Sequence, residues 1–156
     1  MAQAAKSAGV WPIAVDSWEG MPEPGPQDAG HYPRGKFGHV GIADFHAAMT
    51  AAGLARVDYQ AVQGYVPAVL ETFEPPPILF AHLDMDQYAS TLAAAHWAWT
   101  RLLPGGTLAF HDWIPGREDI LASGAAHEFL RRLKSRESAQ VRAAEKMELY
   151  ITKPER

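Results

Sequence analysis

The stretch ILFAHLDMDQYAST, Ile78 to Thr91, decides how the rest of the chain is read. Apolar residues run from Ile78 to Leu83 with His82 among them, then stop at two aspartates, Asp84 and Asp86. A nearly continuous apolar run of this length predicts a strand buried on both faces of a parallel sheet. The segment YASTLAAAHWAWTRLL that follows is dominated by Ala, Leu and Trp, and predicts a helix ended by Pro104-Gly105-Gly106. Two like charges at the end of a buried strand are costly unless they meet water, donors or a cation.

Working outward, TLAFHDW is a second buried strand that ends on polar residues, His111 and Asp112. Upstream, Val10 to Val15 reads as a short strand leading into Asp16 and a Pro/Gly-rich loop that runs through Gly38. Loops of that length in compact domains are often binding loops or lids. Ile42 to Ala52 has helical spacing with Gly53 as its stop, Ala55 to Gly64 alternates like a strand, and Val66 to Phe73 gives a short helix before EPPP. Downstream, Glu118 to Ser135 predicts a helix, and Ala139–Glu145 and Met147–Lys153 predict a closing pair of strands. The opening MAQAAKSAG reads as the last turns of a helix closed by Gly9. Strands alternating with helices imply an α/β fold with a mostly parallel sheet between helical layers, in one domain over residues 1–156.

Composition narrows the function. Fourteen basic against 18 acidic residues give a net charge of −4, and no basic block occurs in the first hundred residues, which argues against a nucleic-acid partner. The one basic run, Arg131 to Arg136, suits a solvated helix face or helix end. The absence of cysteine excludes disulfides and thiolate chemistry and is compatible with a cytoplasmic location. No stretch approaches the roughly 20 apolar residues of a membrane helix.

Asp16, Asp84, Asp86, His111 and Asp112 all fall at the carboxyl ends of strands, where such sheets bind ligands. Asp84 and Asp86 are two apart, so both project to one side if the strand persists. With His111 and Asp112 on a neighbouring strand, three carboxylates and an imidazole would surround one small volume. A divalent cation would relieve their repulsion. Oxygen ligands favour Mg²⁺, with Mn²⁺ or Ca²⁺ as alternatives, and a histidine shifts the preference toward Mn²⁺, Fe²⁺ or Zn²⁺. The bland alternatives are that Asp86 caps the following helix and Asp112 begins a loop. His82 reads as a core or partner-facing histidine, and His96, Trp97 and Trp99 as packing residues. His31, Tyr32 and His39 suit substrate contact or plain exposure equally. Asp16 stands where nucleotide-binding folds accept hydrogen bonds from ribose hydroxyls.

VDSWEGMPEP, LDMDQYAST, LLPGGTLAFHDW and IPGREDILASGAAHEF occur in this order at natural spacing. Together they resemble the macrocin O-methyltransferase family, a branch of the class I S-adenosylmethionine-dependent methyltransferases with a three-layer Rossmann-like sheet. The resemblance runs from about Val10 to the C-terminus. It implies transfer of a methyl group from S-adenosylmethionine to a hydroxyl of a sugar or other small natural product, assisted by Mg²⁺ or Mn²⁺. Asp16, with Ser17 beside it, would bind the cofactor's ribose. Asp84 and Asp112 would ligate the metal together with His111, which stands where the family usually has a second aspartate. Asp86 would be the general base.

The family's first strand and Gly-rich turn should precede Val10, where this sequence has nine residues. Without that strand, the Val10–Val15 strand and the Ile78 strand are expected to be unpaired with LAFHD. The strands would then re-pair, another chain would supply an edge, or the sequence begins late relative to its gene. Two further readings follow: a non-catalytic module that binds a partner chain or a second copy through its incomplete sheet, and a metal-dependent hydrolase built on the Asp/His edge.

Overall fold

The computed structural model describes residues 2–133, 139–144 and 147–155. Lys134 to Arg136 of the basic run and Glu145 of the first closing strand lie outside the described residues. The chain divides into two compact units, residues 1–23 with 33–69 and residues 24–32 with 70–156. Among the described residues no helix is long and apolar enough to cross a membrane.

The first unit contains α1 (Ala2–Ser7), β1 (Ile13–Asp16), α2 (Ile42–Ala51) and β2 (Gln60–Gln63). β1 and β2 pair in parallel, with Ile13 opposite Gln60 and Asp16 opposite Gln63. Leu54 and Tyr59 are buried, and the Phe45 ring of α2 meets Tyr59 edge-on at 5.7 Å. The strand predicted over Ala55 to Gly64 is half replaced by a 3₁₀ turn, Arg56–Asp58. Asp58 explains this: its carboxylate accepts from the Ala55 amide at 2.8 Å and from Lys6 Nζ at 2.7 Å. A local side-chain acceptor of this kind outcompetes strand pairing.

The division falls within α3 (Ala68–Thr72). The second unit then holds β3 (Ile78–Leu83), α4 (Tyr88–Arg101), β4 (Leu102–Phe110), α5 (Leu121–Arg132), β5 (Gln140–Ala144) and β6 (Glu148–Thr152). Its sheet has the order β3-β4-β6-β5. β3 and β4 are parallel, and β6 runs antiparallel to both β4 and β5, which bears out the closing pair. Leu108, Phe110, Leu149 and Ile151 are fully buried, as are Ala95, Ala125 and Ala126 on the packed helices α4 and α5. Phe129 of α5 takes the Phe110 ring at 5.8 Å, His96 at 5.2 Å and Trp99 at 5.8 Å. Trp97 stacks on Phe73 at 6.0 Å, so the three aromatic positions of α4 are packing residues, as read.

Four expectations are corrected. β3 is not buried on both faces: among the described strands it pairs with β4 alone, and Leu79 and Phe80 are 53% and 47% exposed. It does pair with the LAFHD strand; β1, by contrast, lies in a separate sheet. Pro104-Gly105-Gly106 does not end the helix. α4 passes directly into β4, and these residues form an irregularity inside the strand, where the register shifts between Ile78 and Phe80. A Cβ on Gly106 would lie 2.9 Å from the Leu103 carbonyl oxygen and 3.0 Å from that of Leu79, so only glycine allows the two strands to approach there. Finally, β3 ends at Leu83, before the first aspartate.

Candidate active site

Because β3 ends at Leu83, the alternation argument for Asp84 and Asp86 fails. What brings them to the site is a turn. Asp86 has φ +55, a left-handed conformation that Asp adopts more readily than most residues. Its carbonyl accepts the Ala122 amide of α5 at 2.8 Å, which fixes the turn. Asp112 also sits at φ +58, just past β4. The His111 amide donates to the Leu83 carbonyl at 2.9 Å, extending the parallel ladder one step beyond β4. Two strand ends and two left-handed aspartates thus set the geometry.

Asp86 does not cap α4. That role belongs to Asp28, a residue of the long loop whose importance the sequence did not signal. Asp28 is 1% exposed, and accepts the Tyr88 amide at 2.8 Å with one oxygen and the Gly25 amide at 2.7 Å with the other. The carboxylate satisfies an orphan amide of the first turn and sits at the favourable end of the helix dipole. It thereby pins the loop to the helix. Gln87, also buried, donates to the Tyr32 carbonyl at 3.2 Å and holds the next part of that loop.

The pinned loop delivers Tyr32 to Asp86, with which its hydroxyl shares a hydrogen bond. Asp86 is also hydrogen-bonded to Asp112. Burial, that bond and the charges of Asp112 and Asp84 push the Asp86 carboxyl up to about 6, against the opposing effect of Tyr32. Tyr32 itself is raised by burial and by the charges of Asp86 and Asp112. Asp84, His111 and Asp112 each place one ligand atom within 4.8 Å of the others. Beside them lies a cavity of about 220 Å³, walled by Tyr32, Asp86, Asp112, Ile114, Arg117 and Met147 among others. Four of the residues singled out in the sequence (Asp84, Asp86, His111 and Asp112) therefore converge.

Asp16 and Ser17 belong to the first unit, at the end of β1. Asp16 Oδ1 accepts the Trp18 amide at 2.6 Å. The Ser17 hydroxyl donates to the Gly20 carbonyl at 2.9 Å and accepts the Glu19 amide at 3.1 Å, so it already serves the local turn. Sequence reasoning passed over Gln87, which adjoins Asp86, and Asp28, Arg117 and Met147, which come near the second unit's site from distant parts of the sequence.

A family model described as a methyltransferase domain matches residues 1–113. The chain belongs to that family. No curated protein matches the chain. Among solved structures, this methyltransferase domain is similar to the O-methyltransferase NovP, with a TM-score of 0.83 at 15% identity over 99% of this chain and 65% of that one. It is also similar to the calicheamicin methyltransferase CalS11, at 0.66 and 19% identity over 92% and 60% of the two chains. A third is an O-methyltransferase from Bacillus cereus in complex with SAH, at 0.57 and 12% identity over 97% and 78%. These likenesses establish the Rossmann-like methyltransferase fold. The chain spans less than two thirds of the length of NovP and of CalS11.

Proposed function

We propose that this domain catalyses S-adenosylmethionine-dependent O-methylation of a hydroxyl on a sugar or other small natural product, assisted by a divalent cation. The observation that carries the reading is the convergence of Asp84, Asp86, His111 and Asp112 beside one cavity, in a chain of the methyltransferase-domain family. The name of one similar structure, the TDP-rhamnose 3'-O-methyltransferase CalS11, supports a sugar-like acceptor.

The donor set fits a cation: the carboxylates of Asp84 and Asp112, with Asp86 beside them, bring like charges together that a cation would compensate, and the His111 imidazole offers a neutral nitrogen ligand. Asp84, His111 and Asp112 would hold Mg²⁺ or Mn²⁺, which when bound supplies positive charge and lowers the pKa of a nearby hydroxyl. S-adenosylmethionine, when bound, supplies an electrophilic methyl group on sulfur. Asp16 and Ser17 are the residues we assign to its ribose hydroxyls. Asp86 would take the acceptor's hydroxyl proton as the oxygen attacks the methyl group that the bound cofactor would supply. Tyr32 orients the Asp86 carboxylate through their hydrogen bond. Ile114, Ile120 and Met147 line the cavity with apolar surface.

Titration calorimetry with S-adenosylhomocysteine, with and without Mg²⁺, tests the reading. Binding that is lost in Asp16→Ala supports it, and no binding under either condition overturns it for this chain. With an acceptor in hand, Asp86→Asn is expected to lower methyl transfer by about 10²- to 10⁴-fold, the usual worth of a general base.

A second reading is favoured by β3, which among the described strands pairs on one side only. A strand with one paired side and two half-exposed large apolar residues, Leu79 and Phe80, is a template for another strand. In that reading the domain adds a strand from a partner chain or a second copy. Sedimentation that shows a monomer at all concentrations would remove the second copy from consideration.

A further inference from the structure

Three neighbouring strands of the second unit each present a metal-binding side chain on one face: His82 on β3, His111 just past β4, and Glu148 on β6. The register explains why. Leu83, Phe110 and Leu149 lie side by side across the three strands and turn toward the helices. Their sequence neighbours therefore turn the other way. The His82 and His111 rings are 6.0 Å apart, and His111 Nδ1 is 3.8 Å from Glu148 Oε1. One ligand atom from each of the three lies within 4.8 Å of the others. A point among three such atoms is at most about 2.8 Å from each, so side-chain adjustments of about 0.6–0.8 Å reach metal–ligand bonds of about 2.0–2.2 Å.

Two observations separate this cluster from a chance meeting. The His111 Nδ1 atom, which faces Glu148, is buried and has no hydrogen-bond partner. A buried, unsatisfied polar atom calls for an explanation, and an ion is one. The outer partners of a metal site are also already in place. His111 Nε2 lies 3.5 Å from Asp112 Oδ1, and the Tyr150 hydroxyl donates to Glu148 Oε2. A ligating imidazole usually turns its other N–H toward a carboxylate, and a ligating carboxylate is usually itself hydrogen-bonded.

We propose that His82, His111 and Glu148 form a binding site for a transition-metal dication of the Zn²⁺, Co²⁺ or Cu²⁺ class, distinct from the Asp84–His111–Asp112 set. Two imidazoles and one carboxylate select such ions, whereas the carboxylate-rich set suits Mg²⁺. His111 is common to the two sets but serves one ion at a time: bound here through Nδ1, it turns its Nε2–H toward Asp112 and leaves the neighbouring cation to the carboxylates. An ion held here fixes the His111 ring and so sets the geometry available to the neighbouring set. The proposal goes beyond methyl transfer and stands whether or not the domain transfers a methyl group.

Cu²⁺ bound to the full chain, read by electron paramagnetic resonance, tests it. The expected spectrum shows two imidazole nitrogens, reduced to one in His82→Ala. One nitrogen in the unmodified protein, or a pattern unmoved by His82→Ala, would place the ion elsewhere and overturn the site. The nitrogen count needs no variant to be read. Co²⁺ titration followed by visible absorption gives the second measurement: His82→Ala and Glu148→Gln should each weaken binding by about tenfold or more, and Asp84→Asn by less than about twofold. A loss confined to Asp84→Asn would assign the ion to the carboxylate set instead.

Discussion

The two faces of the four-stranded sheet are made from alternate residues of the same strands, yet they are different in kind. On the helix side Leu83, Phe110 and Leu149 align across three strands, with Leu108 and Ile151 one pleat further along, and all are buried. On the opposite side His82, His111, Glu148 and Tyr150 surround the small, buried Ala109, and none of these four is fully buried. Phe80 and Arg142 on that side are exposed. One face contributes stability through apolar burial. The other keeps titratable groups within reach of solvent and ions. A change of one residue along a strand should therefore move the effect of a substitution from folding to binding.

The sharpest test sets Phe110 against its neighbour. Phe110→Ala removes a fully buried ring that meets Phe129 at 5.8 Å, and should lower stability by about 3–5 kcal/mol in chemical denaturation. His111→Ala, one residue on, should cost much less, because its side chain is 36% exposed. Similar losses at both positions would break the distinction between the faces.

A smaller effect is expected where β3 and β4 end. The Asp86 carboxyl titrates at about 6 in the metal-free protein, above its ordinary 3.8, because of burial and its carboxylate neighbours. The folded state therefore holds a proton that the unfolded state releases near pH 4. Between about pH 4 and pH 6 the folded state binds more protons, so its stability falls as pH rises, by on the order of 2 kcal/mol. Denaturation midpoints of the metal-free chain across this window should decline with pH, and Asp86→Asn should flatten the decline. An unchanged slope in the variant would remove Asp86 as the source. A divalent cation at saturating concentration should oppose the trend, since it favours the ionised carboxylates.

Asp28 comes next in size. Asp28→Ala leaves the Tyr88 and Gly25 amides without their acceptor and should cost about 1–2 kcal/mol, with Asp28→Asn recovering part of it. A neutral result would mean that water replaces the cap. Asp28 also shows where the sequence stops being legible. The apolar runs, the helix of Tyr88 to Arg101 and the aspartates at strand ends were readable because each depends on local pattern. Asp28 sits in a Pro/Gly-rich loop 60 residues from the amide it caps, and no periodicity marks such a partner. Tyr32 was readable only as one of three loop side chains. Glu148 had a usable signal, since Leu149 and Ile151 face inward and alternation puts Glu148 and Tyr150 on the other side. Pro104-Gly105-Gly106 departs from its local pattern for a different reason: turn-forming residues read as a stop, whereas the strand absorbs them at a register shift. The exposure of β3 could not be read from its apolar run, because exposure depends on which strands flank it.

The smallest expected effect carries the comparison furthest. His82→Ala removes a part-exposed imidazole on that face, and in the absence of metal should change stability by less than about 0.5 kcal/mol. Thermal denaturation of the metal-free protein and its variant, side by side, reads this directly. A loss as large as that of a core residue would mean that His82 packs as part of the fold and that its face supports the sheet. A near-neutral result has the opposite meaning. An imidazole that contributes little to folding, beside a buried His111 nitrogen with no hydrogen-bond partner, is placed for a ligand rather than for the core. The difference between the two proteins should then emerge only when Co²⁺ is added, because an ion that binds the folded state alone stabilises whichever protein still holds it.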